Sequence, residues 1–151
     1  MGTLYVVGTP IGNMEDVTFR QLETLKSVDF IAAEDTRVTL KLLNRYGIKK
    51  TLVSYHRHSG ENCALSIMER IKNGENAAIV TDAGMPCISD PGEDLVKICA
   101  ENEVDVKVVP GPSAVISALA VSGLSTSRFS FEGFLSCLLY TSPSPRDGLL
   151  S

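Results

Sequence analysis

Glu34-Asp35-Thr36-Arg37 puts two carboxylates, a hydroxyl and a guanidinium on consecutive positions. A carboxylate there could orient or deprotonate a substrate hydroxyl. Arg37 could hold a phosphate through its planar fork of donors. The same residues could equally cap a helix, because Asp35 or Thr36 can accept the first free backbone N–H groups. A second polar group, His56-Arg57-His58, adds a small basic patch. Such a pair of histidines on a loop is an ordinary surface feature, with a substrate-facing role as the alternative.

Three Gly/Pro-rich segments accompany these groups: Gly8-Thr-Pro-Ile-Gly-Asn13, Asp82-Ala-Gly-Met-Pro-Cys-Ile-Ser-Asp-Pro-Gly92 and Pro110-Gly-Pro-Ser-Ala114. Glycine lets backbone approach a ligand closely, and proline fixes loop shape at low entropic cost. Each segment alone reads as a tight strand-to-helix turn. Three together describe a pre-shaped cleft that holds its ligand mainly through backbone groups. Neither G-x-G-x-x-G nor G-x-x-x-x-G-K-[ST] occurs, which removes the dinucleotide fingerprint and the P-loop. There is no G-x-S-x-G elbow. The four cysteines show no CxxC spacing and lie away from the histidines, so a metal site is not expected. Cys87 reads as a small buried filler rather than a reactive thiol.

Strands and helices must alternate to position these loops. Leu4–Gly8, Asp29–Ala33, Thr51–Ser54, Ala77–Asp82, Val104–Val109 and Phe129–Gly133 read as strands. Helical spacing runs from Asp16 to Val28, Val38 to Tyr46, Ser59 to Asn73 and Gly92 to Asn102. Ser113 is placed to N-cap a further helix through Ala120. This alternation predicts an α/β fold, a mostly parallel sheet with helices on both faces. In such a sheet ligands bind beyond the carboxyl ends of the strands, where all three loops fall.

Five collinear stretches sharpen this reading: Leu4–Asp16, Ile31–Arg37, Val80–Gly92, Val108–Ala114 and Phe131–Leu135. Together they resemble the small-subunit ribosomal RNA cytidine 2′-O-methyltransferases of the tetrapyrrole-methylase-like family. The resemblance implies two α/β domains with S-adenosyl-L-methionine between them, and methyl transfer to a cytidine ribose of 16S ribosomal RNA. It places Pro10, Asp82, Ala83, Gly84, Ile88, Pro110, Ser113 and Ala114 against the cofactor. Glu34, Asp35 and Arg37 match the acidic-arginine motif of the RNA-directed branch, with Glu34 or Asp35 the candidate for removing the hydroxyl proton. Arg37, Lys41 and Arg57 would contact RNA phosphate. It further implies the 30S subunit as partner and a homodimer for the full-length protein. Two alternatives stay open: a tetrapyrrole C-methyltransferase, and a non-catalytic ligand- or RNA-binding module.

The net charge of −4 argues against a surface that grips nucleic acid everywhere, but allows local contacts. No run of 18 apolar residues and no secretory leader is read, so no membrane partner and a cytoplasmic location are expected. The 151 residues divide into an N-terminal domain over 1–112, a linker helix with the first strand of a truncated second domain over 113–135, and a tail over 136–151. That tail reads like a translated sequencing adapter and is expected to be non-native. With half the cleft missing, the chain alone is expected to be inactive.

Overall fold

The computed structural model describes residues 1–135; the expected non-native tail lies outside the described residues. Five strands, β1 (Thr3–Val7), β2 (Phe30–Ala33), β3 (Thr51–Ser54), β4 (Ala77–Val80) and β5 (Asp105–Val109), form one sheet in the order β3-β2-β4-β1-β5. Every pairing between them is parallel. Strands β2 and β4 are buried throughout, as their unbroken apolar sequences require of a sheet covered on both faces.

Alternate residues feed two separate cores. Leu4, Phe30, Ala32, Ala77 and Ile79 pack with Ile67, Met68 and Ile71 of α3 (Gly60–Lys72) and with Leu95, Ile98 and Cys99 of α4 (Glu93–Glu101). Val7, Ile31, Ala33, Ala78 and Val80 pack with Leu25 of α1 (Phe19–Ser27) and with Leu42 and Leu43 of α2 (Thr36–Arg45). Helices α1 and α2 therefore cover one face, and α3 and α4 the other. Strand β4 lies between β1 and β2, yet its chain continues into a helix on the face opposite theirs. That reversal opens a crevice on each side of the carboxyl end of β4, which is where open α/β sheets bind ligands.

Local signals set the helix starts. Thr18 accepts from the Gln21 N–H at 3.1 Å while Gln21 Oε1 accepts from the Thr18 N–H at 2.7 Å, a reciprocal cap. This box delays α1 to Phe19; Asp16, where the spacing suggested a start, ends a separate 3-10 turn over Met14–Asp16. Ser113 caps α5 (Ala114–Val121) through the Ile116 N–H at 3.3 Å, as expected.

The strand expected over Phe129–Gly133 does not form. Its residues are irregular and exposed. Its two aromatic residues, Phe129 and Phe131, favour a strand, but a strand must also satisfy its N–H and C=O groups along a neighbour. Among the described residues no neighbour is offered.

Candidate functional site

The three Gly/Pro loops meet at the carboxyl ends of β1, β4 and β5. Thr9 and Gly84 exchange two backbone hydrogen bonds, both 3.0 Å, which join the first loop to the second. The Gly8 N–H donates to the Val109 carbonyl at 3.1 Å. A Cβ on Gly8 would stand 2.6 Å from the Gly111 Cα, and one on Gly111 would stand 2.8 Å from the Gly8 Cα. Two glycines are thus needed so that the first and third loops can touch backbone to backbone. Buried Gln21 secures the third loop, its Nε2 donating to the Pro110 carbonyl at 3.1 Å.

The second loop is held in a shape few residues adopt. Cys87 and Ser89 have φ of 70° and 52°, left-handed values that cost energy in non-glycine residues. Between them Ile88 is 61% exposed, an isoleucine turned to solvent within the loop that joins β4 to α4. Burial pushes the Cys87 thiol up to about 11, so it is a packed, protonated group as expected. Its sulfur stands 2.7 Å from where a Cβ on Gly92 would lie, and Gly92 has φ of 119°.

The acid and arginine residues sit beside the same strand end. The Asp35 N–H donates to Asp82 Oδ1 at 3.1 Å, and the Thr81 hydroxyl donates to Glu34 Oε2 at 2.7 Å. Asp35 also caps α2, accepting from the Arg37 N–H at 2.9 Å. The Arg37 guanidinium grips the Asp35 carboxylate with two bonds, 3.0 and 2.7 Å. That grip holds the Asp35 carboxyl at about 2, far below the ordinary range. Capping is therefore the role the geometry gives Asp35, and a carboxylate so stabilised is a poor proton acceptor. Glu34, by contrast, is half-buried and, among the described residues, forms no salt bridge. Asp82 and Asp90 are both raised above the usual carboxylate range, first by burial and then by the charge of Glu34.

A family model described as tetrapyrrole (corrin/porphyrin) methylases matches residues 3–149. The chain belongs to the tetrapyrrole methylase family. It is 55% identical over 135 residues to a Thermotoga maritima protein named ribosomal RNA small subunit methyltransferase I, an alignment covering 89% of this chain and 61% of that one. A Synechocystis protein of the same name is 50% identical over 150 residues, covering 99% of this chain and 52% of that one. Among solved structures, uroporphyrin-III C-methyltransferase from Thermus thermophilus superposes with a TM-score of 0.60 at 22% identity, over 85% of this chain and 55% of that one. The chain thus spans about half to three-fifths of the length of the curated relatives it matches.

For a tetrapyrrole methylase domain, the loops that sequence singled out are the loops that converge. Pro10, Asp82, Ala83, Gly84, Ile88, Pro110, Ser113 and Ala114 all lie on them or at the start of α5. The three cations do not share one element. Arg37 and Lys41 stand one turn apart on α2, whereas Arg57 follows β3 and lines a 260 Å³ pocket with Glu34, Ser89 and Asp90. Sequence reasoning passed over Thr9, Gln21, Thr81 and Asp90. Three of these are buried polar residues, and the available signal for Thr81 was a hydroxyl at the end of a wholly apolar strand.

Proposed function

We propose that this chain is the cofactor-binding portion of an S-adenosyl-L-methionine-dependent methyltransferase acting on small-subunit ribosomal RNA, at the 2′-hydroxyl of a cytidine ribose. The observation that carries this is identity of 50–55% to relatives named ribosomal RNA small subunit methyltransferase I. The match to the uroporphyrin enzyme, at 22%, speaks to fold alone.

The residues fit the cofactor chemically. S-adenosyl-L-methionine supplies an electrophilic methyl on a cationic sulfur, carried by an adenosine. Ile88, Ala83, Pro110 and Ala114 leave apolar surface open on the ledge that the three converging loops form, suited to the adenine face. Asp82 offers a carboxylate beside them, suited to the positive groups of the methionine part. Thr9, Gly84 and Gly111 fix the loops before any ligand arrives, which keeps the ordering cost of binding low.

Methyl transfer to an alcohol is chiefly a matter of alignment. The chain's share is to hold the acceptor oxygen and remove its proton. Glu34 is the carboxylate best placed to take that proton, since Asp35 is committed to Arg37 and to the α2 cap. Arg57, and the part of Arg37 that Asp35 leaves free, would meet RNA phosphate. The domain division, with residues 113–135 leading into a second domain, fits the uncovered apolar side chains of α5. The 30S subunit as partner, the homodimer and the cytoplasmic location belong to this same reading.

The test joins residues 1–135 to the remainder of the Thermotoga maritima relative. The chimera is incubated with labelled S-adenosyl-L-methionine and either unmethylated 30S subunits or uroporphyrinogen III. Label in a ribose of the small-subunit RNA is the expected result. Label in the tetrapyrrole, or none in RNA from a folded chimera, overturns the proposal.

A further inference from the structure

The carboxyl end of β4 touches both halves of the site at once. Thr81 is 4% exposed, and its hydroxyl donates to Glu34 Oε2 at 2.7 Å. Its carbonyl accepts from the Thr9 hydroxyl at 3.1 Å, a buried bond into the first cofactor loop. The next residue, Asp82, accepts from the Asp35 N–H. Two residues on, Gly84 pairs with Thr9 through the backbone. The acidic turn and the cofactor ledge are therefore registered against each other through one short stretch of chain.

Among the described residues no salt bridge fixes Glu34, and Thr81 supplies its hydrogen bond. A single bond to Oε2 restrains the carboxylate and leaves Oε1 without a hydrogen-bond donor among the described residues. We propose that Thr81 is a positioning residue whose hydroxyl orients Glu34 to receive the proton of the methyl acceptor's hydroxyl. This rests on the functional reading above. Without the Thr81 hydroxyl the carboxylate swings between rotamers and the proton has no fixed destination. A misplacement of about 1 Å in such a site can cost roughly 100-fold in rate.

The experiment is a double-mutant cycle in the chimera, with T81V, E34Q and the double variant, and T81S as the conservative control. T81V should lower kcat by about 10- to 100-fold, while leaving KM for S-adenosyl-L-methionine within about twofold. T81S, which keeps the hydroxyl, should stay within about threefold of the parent. The double variant should be no slower than E34Q alone, because Thr81 acts through Glu34. Additive losses, an unchanged kcat in T81V, or equal losses in T81V and T81S overturn the proposal. Urea unfolding is followed for each variant, and T81A replaces T81V in the cycle if T81V unfolds. A parent chimera that labels tetrapyrrole instead of RNA overturns the functional reading only, and the cycle is then read on that acceptor.

Discussion

Asp35 and Arg37 show how one neighbour decides a residue's chemistry. Their two-bond contact, with an Arg37 side chain that is 87% exposed, holds Asp35 at about 2. The carboxylate is thus favoured in the folded chain. Its contribution is present above the ordinary value of 3.8 and is lost as pH falls towards 2. Replacing Arg37 by alanine should move the Asp35 titration, followed by carboxyl NMR, up towards the ordinary range; an unmoved titration would show the cap alone to be responsible. The sequence already displayed both carboxylates, but not which one the guanidinium would take. That choice depends on the rotamer reached once Asp35 begins α2. Likewise Thr81 and Glu34 are 47 residues apart, and no local pattern predicts their bond.

At the scale of elements, what is local was legible. β3 covers the residues that composition indicated, and Ser113 caps α5. Helix α4 begins after Gly92, close to the expected start, with Glu93 and Asp94 in the first turn where negative charge suits the helix dipole. Phe129–Gly133 shows the limit of such reading, because side-chain propensity cannot supply a neighbouring strand. The two core layers follow from the sheet's alternation and carry the stability. Leu95, wholly buried between α4 and the sheet, should cost about 2–5 kcal/mol when cut to alanine, measured by urea unfolding. A loss under about 1 kcal/mol would mean that α4 closes over the cavity.

For the whole molecule, the uneven cover of apolar surface stands out. Helix α5 is built almost wholly from apolar residues, yet none is buried, and Val121 is 85% exposed. Leu124, Phe129, Phe131 and Phe134 continue that exposed run. Changing Ile116 and Val121 together to serine should shift the unfolding free energy of this chain by less than about 0.5 kcal/mol. The same change should reduce binding of a hydrophobic dye, because exposed apolar patches of this kind attract apolar partners. A large loss of stability would instead show that α5 packs on the domain. Among the described residues no helix is long and apolar enough to cross a membrane.

The strand order also dictates a timetable. β1 is made before the other four described strands, yet Leu4 pairs with Ala77, and Thr3 with Asp105. Among the described strands only β2 and β3 are near neighbours both along the chain and across the sheet. During synthesis β1 must therefore wait, its edges unsatisfied, until β4 and then β5 emerge. Long-range parallel pairing of this kind is slow and leaves sticky intermediates. The Gly8–Gly111 contact needs both loops, so a nascent chain acquires its finished ledge only after Gly111 is free.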